Sequence, residues 1–491
     1  MSIVVIAILI NLVVLVVVLV ILVVVILKLA VVQVKSLNKK KGENMSKITS
    51  ASFLVTEDCN LNCIYCFEKT KERCNLYMSE EVAKKSIDML INNALKEKRP
   101  SIGVTLFGGE PTLNLKLLYF ILEYGSEKTK ENNLNFDLDI ITNATILTDK
   151  HIEFYKEWYK TLGYISVQLS IDGIPEVQDH NRPFKNGNKT SKIVETNIKK
   201  YVELFKELNQ PLERLCIHSV LSKYSLKHAY ESYKYFLSLG AKCIWFMPCH
   251  EEPWDEQDFI DFREQYQSIA DYIYNKCIEN NNLDYFQCFS SIGKCNTSMN
   301  NKPCSAGVNY CSITAKGDMY VCHHFYFNDD KEQFKFGNVL LEEPDDIEKR
   351  KYFLEYQGGE MQGKTKCKDC DIQHCYRCIA ANYVNNGDCL EAFPNYCELS
   401  LIEDEIKRNL KAKLREYDFV FDEDKTTFDV NQKINLLIDQ VQKLTQLNLN
   451  QQKQNDLLIE QIEVLSDSLN KNNKLIISLA KFLLEKEQQN T

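Results

Sequence analysis

The chain has 491 residues, of which 45% are hydrophobic and 26% are charged, with 19 cysteines and a formal net charge of −9. This length allows two or three packed domains, and the composition excludes a wholly disordered, collagen-like or multi-span membrane protein. The acidic balance provides no global basic field, so we expect no nucleic-acid partner. The cysteines are too dilute for a small disulfide scaffold and cluster at short spacings, which predicts iron or zinc binding in a reducing compartment.

An apolar run extends from Ile3 to Leu27 and is interrupted only by Asn11. At about 1.5 Å rise per residue, it is long enough to cross a hydrocarbon core about 30 Å thick. Because lysines follow the run, the positive-inside rule predicts that residues 1–44 form a membrane anchor and basic linker, with the remaining chain in the cytoplasm. The alternative is a wholly cytoplasmic protein that starts at Met45, since the codons before Met45 resemble a ribosome-binding site.

Residues 45–285 alternate between short β-branched runs and longer helical stretches. Six β-then-α units in series predict an α/β fold, a parallel sheet with crossover helices that forms an open or closed barrel. Ligands of such folds bind at the C-terminal ends of the strands. The predicted strands are 51–56, 102–107, 136–142, 165–171, 215–221 and 243–247, and the predicted helices include 79–97, 115–130, 191–208 and 257–280.

Three cysteines, Cys59, Cys63 and Cys66, follow the first predicted strand, and Phe67 comes directly after them. Three thiolates leave one iron of a [4Fe–4S] cluster without a protein ligand, so that this iron can bind a cofactor. The alternative is three ligands of a zinc site, but no fourth Cys or His stands at zinc-finger spacing, and we interpret Cys74 as a bystander.

The Cys-x3-Cys-x2-Cys-aromatic loop resembles that of the radical S-adenosylmethionine (radical SAM) enzymes, as does Gly-Gly-Glu-Pro at the end of the second predicted strand. The resemblance implies a partial (β/α)6 TIM-like barrel, in which the backbone and Glu110 bind the methionine amino group. It also implies cofactor contacts at the third and fourth strand ends, where Ala144 replaces the family's usual Gly. The implied cofactor-binding residues are Phe67, Gly108, Gly109, Glu110, Asn143, Ser170, Asp172 and Arg182.

A second group of cysteines within residues 286–400 resembles the SPASM extension of radical SAM maturases, which carries two auxiliary [4Fe–4S] clusters. Two spacings are one residue shorter than the family's usual run. Cys389 therefore stays an alternative to Cys397, and a zinc knuckle is the alternative for the four closely spaced cysteines. By the resemblance, one cluster takes Cys304, Cys311, Cys322 and Cys378, and the other takes Cys367, Cys370, Cys375 and Cys397.

A heptad repeat of apolar residues occupies residues 430–491, after a connecting helix or linker at 401–429. The repeat predicts a coiled coil, and Asn448 and Asn455 at core positions favour a homodimer. The alternatives are a helix that folds back on the catalytic domain and a surface for a partner peptide.

The resemblance implies reductive cleavage of S-adenosylmethionine to a 5′-deoxyadenosyl radical that takes hydrogen from an unactivated C–H bond, with a flavodoxin- or ferredoxin-type reductant. The first hypothesis is a maturase that forms Cys thioether crosslinks in a ribosomally made, Cys-rich precursor peptide. The second is an anaerobic sulfatase maturase that makes formylglycine. In those enzymes an Asp base follows the Cys of Gly-x4-Cys, whereas His323 stands there in this chain and joins Glu110 as a candidate catalytic residue. The third, a non-enzymatic iron–sulfur electron-transfer protein, is disfavoured by the Gly-Gly-Glu-Pro motif.

Overall fold

The computed structural model describes residues 47–70, 76–249, 252–289, 304–327, 330–357, 370, 372, 375, 378–389 and 391–421. Its β-strands are β1 (Ser50–Thr56), β2 (Ser101–Gly108), β3 (Asn135–Thr142), β4 (Val167–Ser170), β5 (Leu215–Leu221), β6 (Cys243–Pro248), β7 (Tyr310–Ile313), β8 (Asp318–Tyr320) and β9 (Lys335–Asn338).

The α-helices of the first half are α1 (Glu80–Lys96), α2 (Leu115–Glu131), α3 (Asp149–Leu162), α4 (Pro175–Asn181), α5 (Ser191–Glu207), α6 (Lys223–Leu226), α7 (Ala229–Ser238), α8 (Glu256–Asn280) and α9 (Asp284–Cys288). Those that follow are α10 (His323–Tyr326), α11 (Ile347–Gln357), α12 (Ile379–Asn386) and α13 (Pro394–Arg415).

The first six strands form a parallel sheet in chain order, with each strand paired to the next. Burial alternates along these strands, as in β2, where Ile102, Val104 and Leu106 are buried and the residues between them are half-buried. Successive strand side chains point to opposite faces, so one face of the sheet packs on the crossover helices and the other lines the concave interior. The predicted α/β fold, a partial (β/α)6 TIM-like barrel, is confirmed.

The sheet continues beyond β1 into the cysteine-rich half of the chain. β7 pairs in parallel with β1, and β8 and β9 add antiparallel strands, which gives nine strands within the described residues. The hydroxyls of Ser52 on β1 and Ser312 on β7 are 2.5 Å apart in the buried seam. The cysteine-rich region therefore shares a backbone ladder with the barrel.

The predicted membrane-anchored location is wrong on the evidence of the described helices. In the part of the chain that the structure describes, no helix is long and apolar enough to cross a membrane. The apolar run at residues 3–27 lies outside the described residues, as does the predicted coiled coil at residues 430–491.

Candidate active site

The loop with the three cysteines is tied by its backbone to a second loop that follows α4. The amide of Ile64 donates to the carbonyl of Asn181 at 2.9 Å, and the amide of Asn62 donates to that of Pro183 at 2.8 Å. Cys59 and Cys63 are buried, and Cys66 is half-buried. The second loop thus fixes the path of the chain between the cysteines.

Two glycines at the end of β2 allow close approach to the cysteine loop. The amide of Gly109 donates to the carbonyl of Thr56 at 2.9 Å. A Cβ at Gly109 would lie 2.2 Å from the carbonyl oxygen of Asp58, and Gly108 has φ +125°, which side chains rarely adopt. The Gly-Gly pair is therefore required by backbone packing.

The Glu110 carboxylate is fully buried and accepts four hydrogen bonds from the chain. Its Oε1 accepts from the amide and hydroxyl of Thr112 at 3.1 and 2.7 Å and from the Thr142 hydroxyl at 2.8 Å. Its Oε2 accepts from the Asn143 amide at 2.7 Å. Because these bonds join the ends of β2 and β3, Glu110 acts in this structure as a tie between the two strands.

Asn143 connects the end of β3 to the cysteine loop. Its Nδ2 donates to Oδ1 of Asn60 at 2.8 Å and lies 3.8 Å from Sγ of Cys59. The next residue, Ala144, has φ +61°, which accounts for glycine as the family's usual residue here. Asn143 therefore lies against a predicted cluster ligand.

A buried polar group joins β4 to the cysteine loop. The Tyr65 hydroxyl donates to Asp172 Oδ2 at 2.6 Å and accepts from Arg182 Nη1 at 2.7 Å, and Arg182 lies 3.8 Å from Asp172 Oδ1. Burial raises the pKa of Asp172, an effect that Arg182 and Tyr65 oppose. Arg182 Nε is buried and has no hydrogen-bond partner among the described residues, so it is a donor available to an anionic group.

The helix α10 brings His323 and His324 onto the aromatic residue of the cysteine loop. The Phe67 ring centroid is 4.2 Å from that of His324 and 5.8 Å from that of His323, and the Phe107 ring is 4.6 Å from His323. Burial lowers the pKa of His324 to about 4, so this ring is neutral at pH 7. His323, in the position after Cys322, therefore lies beside the candidate active site.

The SPASM-like cysteines fall into two neighbourhoods. Burial raises the pKa of Cys322, and the nearby thiols of Cys378 and Cys304 raise it further. Cys375 accepts from Ser400 Oγ on α13 at 3.6 Å. Cys397 lies in the first turn of the same helix, so the structure places Cys375 near the predicted Cys397 site.

Cys311 lies on β7, between Tyr310 and Ser312. Tyr310 and Ser312 face the Ser52 hydroxyl, and strand alternation directs Cys311 to the opposite face, near Arg350 and Asp345. Cys389 is buried close to Cys378. Cys370 is exposed, and Cys367 lies outside the described residues.

The structure thus brings Phe67, Asn143, Asp172, Arg182 and His323 to the cysteine loop, and Ser170 ends β4 at the same edge of the sheet. Sequence reasoning did not assign roles to Tyr65, Asn60 or Asn181, although Tyr65 stands inside the cysteine motif and Asn181 precedes Arg182. Their hydrogen-bond partners are distant in sequence, so the sequence could have indicated these residues only by their position within or beside the motifs.

The residues present fit a three-thiolate cluster with a bound cofactor. The glycines leave a backbone cradle beside the cysteines, and Arg182 supplies a buried cationic donor. Among the described residues, no three Cys, His, Asp or Glu side chains converge as they would around a single metal ion. In a four-iron cluster each thiolate binds a different iron, so the ligands do not converge on one point.

Comparison with known proteins agrees with this geometry. Residues 53–221 match the model of the radical SAM superfamily, and residues 304–371 match SPASM, an iron-sulfur cluster-binding domain. The uncharacterized protein MJ0907 of Methanocaldococcus jannaschii is 35% identical over 39% of this chain, which spans 59% of that protein.

Two further similarities extend over most of the chain. The serine-type anaerobic sulfatase-maturating enzyme of Bacteroides thetaiotaomicron is 27% identical over 67% of this chain and 80% of that protein. The structure of native anSMEcpe with bound AdoMet and Cp18Cys peptide aligns with TM-score 0.57 and 22% identity, covering 75% of this chain and 99% of that one. The latter similarity shows the fold.

The chain therefore carries a radical SAM domain at residues 53–221 and a SPASM domain at residues 304–371. The cofactors of these two domains are [4Fe–4S] clusters and S-adenosylmethionine.

Proposed function

We propose that this enzyme modifies a ribosomally made, Cys-containing peptide and forms thioether crosslinks. The observation that carries the proposal is the position of His323, whose ring packs against Phe107 at the end of β2 and near Phe67 of the cysteine loop. A residue of the SPASM domain therefore reaches the site of radical formation.

The roles of the chain's own residues follow from their contacts. Glu110 holds the ends of β2 and β3 together, and Arg182 and Asn143 orient the cofactor against the cysteine loop. His323 accepts the proton of the substrate thiol. Bound S-adenosylmethionine supplies, on reduction, a radical that takes hydrogen from a carbon of the peptide. The crosslink would form between sulfur and that carbon with the loss of two hydrogens, one taken by the radical and one released as the thiol proton, and an iron–sulfur cluster held by the SPASM domain would accept the remaining electron.

The second candidate function is the formation of formylglycine in a sulfatase. It is supported by similarity to the Bacteroides sulfatase-maturating enzyme over 80% of that protein. It is opposed by His323, since the family's base at this position is an Asp.

The partners of either reaction form part of the same proposal. A flavodoxin- or ferredoxin-type protein supplies the electron, and the segment at residues 430–491 joins two copies of the chain. A peptide-bound structure of anSMEcpe supports a polypeptide substrate.

The test is anaerobic incubation of the reconstituted enzyme with candidate Cys-containing peptides, followed by mass spectrometry. Loss of two hydrogens per modified Cys, with no free thiol and no carbonyl, supports thioether formation. A hydrazide-reactive aldehyde in place of the thiol supports formylglycine.

The role of His323 is tested with two matched variants. His323→Ala should lose peptide product while it still cleaves S-adenosylmethionine, because the cysteine loop is intact. The control variant is His228→Ala. His228 lies just before α7, with its Nδ1 3.6 Å from Glu231 Oε2, and its replacement should leave both activities unchanged. Wild-type product formation by His323→Ala would contradict the proposed role.

A further inference from the structure

Two cysteines outside both cluster regions meet on the concave face of the sheet. Cys216 on β5 and Cys243 on β6 are direct register partners, and their sulfurs are 2.8 Å apart. Both occupy half-buried positions in the alternating patterns of their strands, so their side chains share one face. Cys216 also lines a cavity of about 610 Å³, together with Gln168 on β4.

The backbone at this position suits a disulfide. Neighbouring strands lie about 4.8 Å apart, which is within the range of about 4.4 to 6.8 Å that separates the Cα atoms of a disulfide. The two sulfurs need to approach by less than about 1 Å to reach a bond length near 2.05 Å. A third thiol, Cys288, lies near the pair, but its Sγ is 3.4 Å from the carbonyl oxygen of Ala241, to which it donates.

We propose that Cys216 and Cys243 are a redox-active dithiol that forms a reversible disulfide between β5 and β6. The oxidant is a small disulfide such as oxidised glutathione. One protein thiolate attacks it to form a mixed disulfide and releases one glutathione thiolate, and the second protein thiolate then displaces the other. The two protein thiols lose two protons and two electrons, and the oxidant is reduced to two molecules of glutathione.

The disulfide would change the edge of the sheet. β6 is the last strand on this side of the described sheet, so a covalent bond to β5 restrains an edge strand. The hydrogen bond with Cys243 and burial both raise the pKa of Cys216, which lowers its thiolate fraction, so we expect exchange to be slower than for an exposed thiol.

The experiment equilibrates the anaerobic, cluster-loaded protein in glutathione buffers of increasing oxidised fraction. Acid quenching, alkylation, digestion and mass spectrometry then locate every disulfide. We expect a linked pair of peptides that contain Cys216 and Cys243, reversed by dithiothreitol, and slower amide hydrogen exchange in β6 of the oxidised form.

Two variants sharpen the result. Cys243→Ser should lack the linked pair, whereas Cys277→Ser, which changes a buried cysteine of α8, should retain it. Full alkylation of both thiols in the most oxidised buffer, with iron content unchanged, would overturn the proposal. So would a bond from either cysteine to Cys288. If Cys243→Ser does not fold, the proposal is tested by the disulfides located in the wild-type protein.

Discussion

Single residues determine how closely neighbouring segments of the chain pack against the cysteine loop. Gly109 leaves space that even one methyl group would fill, and Tyr65 places a hydroxyl between an acid and a cation in a buried position. Both lie next to predicted ligands, so changes at these positions should affect cluster assembly as well as stability.

Gly109→Ala should destabilise the fold and lower the iron content. The new Cβ would meet the Asp58 carbonyl oxygen at 2.2 Å, and because this atom belongs to the backbone, the cysteine loop must move. We expect a cost of about 1 to 3 kcal/mol. Gly103→Ala on β2 is the control, since its Cβ would meet the Ser50 hydroxyl at 2.8 Å, which can rotate, and the Ser50 Cβ at 3.2 Å, a milder contact than the one at Gly109. Iron analysis and denaturant unfolding measure both effects, and equal behaviour of the two variants would refute the packing argument.

Tyr65→Phe should weaken both folding and cofactor binding. Without the hydroxyl, Asp172 and Arg182 lose a shared partner in a buried site, which costs about 1 to 3 kcal/mol. Arg182 should then be less well oriented for the cofactor. Tyr77→Phe removes an exposed hydrogen bond to Asp58 and serves as control. Unfolding curves and equilibrium binding of S-adenosylmethionine test the prediction, and wild-type affinity in Tyr65→Phe would exclude an orienting role.

At the scale of elements, the seam between the barrel and the SPASM domain is a continuous structure. β7 extends the sheet beside β1, and the Tyr326 hydroxyl of α10 donates to the buried Glu57 just after β1. The same helix places His323 and His324 on Phe67. Strand pairing, a hydrogen bond and ring contacts thus hold the SPASM domain against the cysteine loop.

Tyr326→Phe should reduce stability by about 1 to 3 kcal/mol, because Glu57 remains buried without this donor. Displacement of α10 should also lower peptide turnover more than S-adenosylmethionine cleavage. Tyr352→Phe, which loses an exposed hydrogen bond to Asp388, is the matched control. Denaturant unfolding measures the loss of stability, and a paired assay of deoxyadenosine and peptide product compares the two activities. An equal loss of the two activities would argue against a role of α10 in positioning the substrate side of the site.

At the scale of the whole molecule, the number of clusters and the number of chains are still predictions. The described cysteines occupy a loop of the barrel and two neighbourhoods in the SPASM domain. The predicted dimerisation segment lies at residues 430–491, downstream of every predicted ligand.

Anaerobically reconstituted protein should carry about twelve iron atoms per chain, four for each of three clusters. Replacing Cys59, Cys63 and Cys66 with Ala should remove about four of them. Iron and sulfide analysis provides the measurement. A wild-type content near four would contradict two auxiliary clusters, and stoichiometric zinc would support the knuckle alternative.

Deletion of residues 430–491 should convert a dimer into a monomer without loss of S-adenosylmethionine cleavage. The apolar repeat that we expect to join two chains would be absent, whereas the cluster ligands would be retained. Light scattering gives the mass of both forms. An unchanged mass would favour a helix that folds back on the catalytic domain.

The sequence by itself determined the local features: alternation of strands and helices, the spacing of Cys59, Cys63 and Cys66, and Gly-Gly-Glu-Pro at a strand end. These depend on periodicity and chain connectivity, and predicted and observed strands agree within a few residues. Only the tertiary structure decided that β7 joins β1, that Glu110 accepts hydrogen bonds from the ends of two strands, and that Cys216 meets Cys243. Each of these joins residues far apart in sequence, and such pairings depend on strand register and side-chain packing, which local pattern does not encode.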